Sequence, residues 1–199
     1  PVVMVSALDN RDTVMTALDL GAFDFIPKPS GSISLNIDDI KDRLLEKLKA
    51  AADYKEKISS KSKKETTEIQ PITRKIKTKK IKQKGKNDFP VIAIGSSSGG
   101  PKALKKFLTA FPEDFPAAMI IVQHMPPGFT ESLANRLDKQ SNLNVKEAKE
   151  NDKLKPGLAL IAPGGKHLEI DKKGQTKLNT KATKWGVRPC VDYMMTSLA

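Results

Sequence analysis

Residues 91–101 read VIAIGSSSGGP, three serines set between glycines at the end of an apolar run. Chemistry at such a turn takes one of three forms. A dinucleotide turn of the G-x-G-x-x-G type needs a glycine at its middle position, where the pyrophosphate approaches the backbone; Ser97 stands there instead. A phosphate loop of the G-x-x-x-x-G-K-[ST] type fails too, because Gly100 is followed by Pro101 and not by lysine. The pattern that does match is G-x-S-x-G, over Gly95, Ser97 and Gly99, between an apolar run and a helical stretch. That is the setting of a nucleophile elbow. Small neighbours let the chain turn tightly, and the N-terminus of the next helix offers free N–H groups and a positive dipole end to developing negative charge. The competing reading is a plain βα turn whose Ser97 or Ser98 caps the helix.

A serine nucleophile needs a base. The chain has two histidines. His124 closes the next apolar run, AAMIIVQH, so in a parallel sheet it reaches the carboxyl end of a strand, as Ser97 does. If the two strands are neighbours, the two side chains approach each other. His167, in APGGKHLEI, follows a glycine turn at the start of a hairpin pattern and reads as structural, or as part of the site's rim. A triad also needs a carboxylate to orient the base. Eight acidic residues follow His124. Most fall on polar helix faces or in charged loops, and none is read as following a buried strand, so no acid is assigned. A second pair of polar groups lies near the start of the chain. Ser6 ends the run PVVMVSA and Lys28 ends DFIPKP. A hydroxyl and an ammonium at adjacent strand ends suit a phosphoryl group, although by residue type alone they read as a surface serine and a surface lysine. Cys190 reads as packing.

These groups need elements to hold them. Residues 1–55 read as an α/β fragment: a strand at PVVMVSA, a helix over LDNRDTVMTALDLG with Val14, Met15 and Leu18 inward, and a strand at AFDFIPKP stopped by Pro29. Asn10 or Asp9 would cap the helix start and Gly21 its end. An amphipathic helix follows, with Ile37, Ile40, Leu44, Leu48 and Ala51 in one stripe, Asn36 as its cap and Asp38 and Asp39 in its first turn. Residues 56–88 are rich in Lys, Ser, Thr and Glu and read as a flexible linker. From Phe89 the alternation restarts. FPVIAIG, AAMIIVQH and GLALIAPGG read as strands. PKALKKFLTAF, with Leu104, Phe107 and Leu108 inward, FTESLANRLDKQ and PCVDYMMTSLA read as helices, and KHLEID with TKLNTK as a hairpin. Strands alternating with helices imply a largely parallel sheet covered on both faces, with its site at the carboxyl edge.

Bulk properties narrow the function class. The formal charge of +12 invites a nucleic-acid partner, yet eight of those charges come from residues 71–86, which hold no acid, leaving +4 for the rest. The charge is a tract and not a folded face, and it carries no aromatic ring for stacking on bases. One cysteine excludes an internal disulfide and fits a reducing compartment. No run of about 18 apolar residues spans a membrane, and no signal peptide is visible, which makes the cytoplasm the default. The chain opens at Pro1 inside a strand pattern and closes inside a helix pattern, so a piece of a longer protein is expected.

The strings IAIGSSSGGP, QHMPPGFT, APGGKHLEI and RPCVDYM closely resemble the chemotaxis protein-glutamate methylesterases of the CheB family, over residue 91 to the end. PVVMVSA with ALDLGAFDFIPKP looks like the last part of a response-regulator receiver domain. The resemblance implies a partial flavodoxin-like receiver over 1–55, the linker over 56–88 and the front of a Rossmann-like esterase domain over 89–199. It implies Ser97 as nucleophile, His124 as base and the turn N–H groups of Ser98, Gly99 and Gly100 as oxyanion donors, with a triad Asp beyond Ala199. In the receiver it implies Ser6 as switch hydroxyl, Phe25 as aromatic switch and Lys28 as phosphoryl-binding lysine, with the phosphoacceptor Asp upstream of Pro1. The implied activity is phosphorylation-regulated hydrolysis of glutamate γ-methyl esters on the cytoplasmic helices of chemoreceptors, with deamidation of receptor glutamines in some members. The partners would be those receptors and a chemotaxis histidine kinase, at receptor arrays. The esterase step would need no cofactor, and the receiver would use Mg²⁺ held by ligands outside this chain. The Lys-rich linker is longer and more basic than that family leads one to expect. Three rivals are a nucleotide-binding α/β domain built on the Gly/Ser turn, an interaction module in which residues 71–86 dock on acidic partners or anionic lipid, and a general α/β-hydrolase, whose order of Ser, acid, His has little room between Ser97 and His124.

Overall fold

Apolar runs became strands wherever they were bounded by turn residues. The computed structural model describes residues 1–6, 10–28, 37–61 and 89–199. The chain divides into two units, Pro1–Thr73 and Arg74–Ala199. In the first, strand β1 (Val3–Ser6) pairs in parallel with β2 (Asp24–Pro27), Ser6 standing opposite Pro27. Helix α1 (Arg11–Asp19) crosses between them and buries Val14, Met15 and Leu18. Asn10 occupies its N-cap position but makes no side-chain capping bond; Asp9 lies outside the described residues. At its other end Gly21 takes a φ of 107°, as expected of a residue that ends a helix.

Helix α2 (Ile37–Lys61) runs into the stretch read as linker, as its Lys and Glu residues sustain a helix that their polarity alone did not suggest. Ile40 and Ala51 of its stripe are buried, whereas Leu48 is 46% exposed. The rest of the linker, and the Asn36 cap, lie outside the described residues. Lys47 of α2 reaches the buried carboxylate of Asp24 at 2.6 Å, which also accepts the Phe25 N–H at 2.7 Å. Removing one partner of such a pair would strand the other.

The second unit carries β3 (Val91–Ser96), α3 (Gly100–Leu108), β4 (Ala118–Gln123), α4 (Phe129–Gln140), β5 (Asn144–Glu147), β6 (Leu158–Ile161), β7 (His167–Ile170), β8 (Thr176–Asn179) and α5 (Val191–Leu198). Four strands form a parallel sheet in the order β3-β4-β6-β5, and β7 and β8 form the antiparallel hairpin. Strands β4 and β6 lie inside the order and every residue of both is buried. Ala118, Ile120 and Val122 join Leu158, Leu160, Leu168 and Met194 of α5 in one cluster. The alternate residues Met119, Ile121, Ala159 and Ile161 point to the opposite face and are buried as well. β5 was not foreseen: it is a four-residue edge strand, NVKE, with Val145 as its one buried side chain, too polar to register as an apolar run. Phe107 also departs from its expected inward place. It is 40% exposed and sets its ring edge-on to Phe111 at 4.9 Å.

Two loops at the carboxyl edge lock together. A Cβ built on Gly164 would stand 2.5 Å from the carbonyl carbon and oxygen of Pro126 and 2.6 Å from the nitrogen of Pro127, so the turn after β6 rests on the loop after β4 with room for glycine only. Thr130, fully buried in the first turn of α4, accepts the Gly164 N–H at 2.8 Å and donates to Glu147 at 2.5 Å. One hydroxyl thus ties together the chain beyond β4, β5 and β6.

Two substitutions test this architecture by urea unfolding of the purified protein. Leu160→Ala, in a fully buried strand, is expected to cost about 2–5 kcal/mol. Gly164→Ala is expected to cost about 1–3 kcal/mol by overpacking against the prolines, and a change within 0.3 kcal/mol would refute the loop contact.

Candidate active site

The register of β3 and β4 decides where the chemistry sits. Their Cα partners run from Val91 opposite Ala118 to Ser96 opposite Gln123. The ladder goes one bond further, with the His124 N–H donating to the Ser96 carbonyl at 3.1 Å. Ser97 and His124 therefore both stand one residue past the paired ends of neighbouring parallel strands. Ser97 is exposed and His124 half-buried.

The turn after β3 is built by its glycines. Gly95 faces Val191 of α5 so closely that a Cβ would lie 2.7 Å from a valine methyl. Gly99 takes φ 74°, a left-handed value that glycine adopts at little cost, and is the N-cap of α3. Neither Ser97 nor Ser98 caps the helix, which has no side-chain capping bond. The Gly100 N–H donates to the Ser97 carbonyl at 2.8 Å, closing the turn. Among the described residues no acceptor is found for the N–H of Ser98 or Gly99, and both precede a helix N-terminus. These are the groups that an oxyanion would use.

Gln123 was not singled out from the sequence. Its side chain is buried, and its amide meets the turn on both sides. The Ser96 hydroxyl donates to Oε1 at 2.7 Å, and Nε2 donates to the Ser97 carbonyl at 2.9 Å and more weakly to the His124 carbonyl at 3.4 Å. The signal was available: Gln123 is the one amide in the otherwise apolar strand AMIIVQ, and a buried amide must find partners.

The second histidine has a different task. His167 is fully buried, its Nδ1 accepts the Cys190 N–H at 3.1 Å and its Nε2 faces the Ala182 carbonyl at 3.1 Å. An amide donor on one nitrogen and a carbonyl acceptor on the other specify the neutral ring protonated at Nε2. Its ring also packs on Tyr193, with centroids 4.1 Å apart. It is a structural residue holding the segment that leads into α5, and Cys190 beside it is buried packing.

Of the acids downstream of His124, Glu147, Asp152 and Asp192 are engaged elsewhere. Glu147 does end a strand, but β5 is two places away from β4, and its carboxylate takes Thr130. Asp192, in the first turn of α5, is held below the usual carboxylate range by its bond from Lys184 at 2.8 Å and by the Trp185 indole N–H at 3.1 Å. Asp152 is lowered too: partial burial opposes ionisation, but Lys146 at 2.6 Å and the Lys149 N–H at 2.7 Å outweigh it.

In the first unit, Ser6 and Lys28 come to one sheet edge, the Lys28 N–H donating to the Ser6 carbonyl at 2.7 Å. Phe25 is buried and Lys28 is exposed. Among the described residues no group of three or more His, Cys, Asp or Glu side chains suits a metal ion, and no helix is long and apolar enough to cross a membrane.

The chain is similar to known proteins. The family model described as CheB methylesterase matches residues 92–199. A protein-glutamate methylesterase/protein-glutamine glutaminase of Halalkalibacterium halodurans is 42% identical over 100% of this chain and 56% of its own length. Proteins of the same name from Pyrococcus horikoshii and Bacillus subtilis are 44% and 40% identical, over 54% and 57% of their lengths. The chain thus spans little more than half of the relatives it matches. The crystal structure of the Thermotoga maritima CheB methylesterase catalytic domain superposes with a TM-score of 0.52 at 44% identity, covering 55% of this chain and 59% of that one. With the family model matching residues 92–199, which include Ser97 and His124, and relatives near 40% identity along the full chain, this protein belongs to the CheB methylesterase family.

Proposed function

We propose that the protein is a serine hydrolase acting on glutamate γ-methyl esters of chemoreceptor helices and releasing methanol, with deamidation of receptor glutamines as a second reaction at the same site. The observation that supports this reading is the β3–β4 register, in which Ser97 and His124 each follow the paired end of one of two neighbouring parallel strands, Ser96 standing opposite Gln123. The names of the relatives support both reactions. Ser97 Oγ attacks the ester carbonyl while His124 takes its proton. The oxyanion is held by the N–H groups of Ser98 and Gly99; Gly100, which the sequence also offered, is not a donor, because its N–H closes the turn on the Ser97 carbonyl. The tetrahedral species collapses as His124 protonates the departing methoxide, which leaves as methanol. Water then gives a proton to His124 and hydrolyses the acyl-serine, restoring the enzyme and leaving glutamate. An ester and a primary amide differ only in the leaving group, methoxide or ammonia, so one site serves both. Serine and histidine supply nucleophile and base without a cofactor, and the orienting acid is expected beyond Ala199.

The first unit fits the closing part of a receiver domain. Ser6 and Lys28 at one strand edge, with Phe25 buried in the same pair of strands, would read the phosphorylation state set by a histidine kinase and gate the esterase at receptor arrays in the cytoplasm. The carboxylates that would hold Mg²⁺ for that phosphorylation are expected outside this chain. A nucleotide-binding turn is the weaker alternative, because Ser97 fills the position that a pyrophosphate needs free.

In the full-length protein, Ser97→Ala and His124→Ala should each lower methanol release from methyl-labelled receptor membranes by at least about a thousandfold, with circular dichroism unchanged. A folded Ser97→Ala protein that keeps more than a tenth of the activity rules the mechanism out. Nucleotide binding by calorimetry, lost on altering the turn, would favour the alternative.

A further inference from the structure

We infer that Gln123 is a positioning residue which aims the oxyanion donor of the site and ties the nucleophile turn to the strand end bearing the base. This inference rests on the esterase reading of Ser97 and His124. The Ser97 carbonyl accepts two hydrogen bonds, from Gln123 Nε2 at 2.9 Å and from the Gly100 N–H at 2.8 Å. Both lone pairs are in use, so the peptide plane between Ser97 and Ser98 cannot rotate without breaking both. That peptide is planar, and in the trans form its N–H points opposite to its C=O. Holding the Ser97 carbonyl towards Gln123 therefore turns the Ser98 N–H away from the sheet, on the side where the substrate's oxygen would develop charge.

The amide of Gln123 is itself oriented from both ends. The Ser96 hydroxyl donates to Oε1 at 2.7 Å, and Nε2 faces two carbonyls, those of Ser97 and His124. Reversing the amide would set Oε1 against both carbonyls, so the network admits one orientation. The same side chain explains Gly100, where a Cβ would lie 1.9 Å from Oε1. Gln123 is 2% exposed and touches backbone only at Ser97 and His124, so it acts through the two reacting residues and not on the substrate.

The test uses the full-length enzyme with methylated receptor membranes. Gln123→Leu removes the side-chain bonds with a shorter branched chain; Gln123→Met removes them at similar volume. Each is expected to lower kcat about ten- to hundredfold, part of the loss that follows deletion of an oxyanion donor, with KM changed less than about twofold because ground-state binding does not use that N–H. Ser96→Ala, which removes only the hydroxyl that orients the amide and should fold readily, is expected to lower kcat about two- to tenfold. A purely structural role would instead lower Tm and leave kcat unchanged well below Tm. Folded Gln123 variants with kcat within twofold of the parent, or an effect confined to KM, overturn the proposal; should neither variant fold, an unchanged kcat in Ser96→Ala overturns it. Failure of the esterase reading is distinguished by Ser97→Ala: activity retained there removes that reading whatever the Gln123 variants do.

Discussion

The parallel pairing of β3 with β4, ending at Ser96 opposite Gln123, is the constraint on which the site depends. A parallel ladder brings the carboxyl ends of two strands to the same edge, and it does so only if neither strand slips. A slip of one residue would turn every side chain of β4 to the other face. Both faces of β4 are apolar and buried alike, so burial holds the strand in the sheet without choosing its register. The register is held by a polar contact, the Gln123 amide meeting the Ser96 hydroxyl and the Ser97 carbonyl.

Close backbone approach is the second element. Glycine stands wherever another chain passes too near for a Cβ: Gly95 against Val191, Gly100 against Gln123, Gly164 against Pro126 and Pro127. The three contacts come from different directions, one from α5, one from β4 and one from the loop before α4. Together they brace the Ser97 turn and the His124 loop. Preorganised donors act without reorganising during the reaction, and bracing of this kind supplies the rigidity that requires.

The two histidines show how environment divides one residue type between two tasks. His167 is enclosed, with each ring nitrogen engaged by backbone and its ring on Tyr193; its work is to hold the approach to α5, whose Val191 lies against Gly95. His124 is half-buried and stands one residue past the end of β4, as the exposed Ser97 stands past the end of β3.

By itself the sequence determined the α/β class of the second unit, the strands β3, β4 and β6, the helices α3, α4 and α5, the hairpin, and the G-x-S-x-G turn, because each rests on a local signal: an apolar run, a helical period or a glycine spacing. It did not disclose β5, whose polar NVKE is strand only because β6 lends it a partner, nor the exposure of Phe107 and Leu48, which apolar periodicity places inward. Nor could it choose among the eight acids after His124. Only the tertiary structure decided that β4 lies directly beside β3, that Glu147 is two strands away, and that the amide of Gln123 reaches the Ser97 carbonyl. These are contacts between residues some 25 positions apart or more, set by how buried strands pack, and no local pattern encodes them.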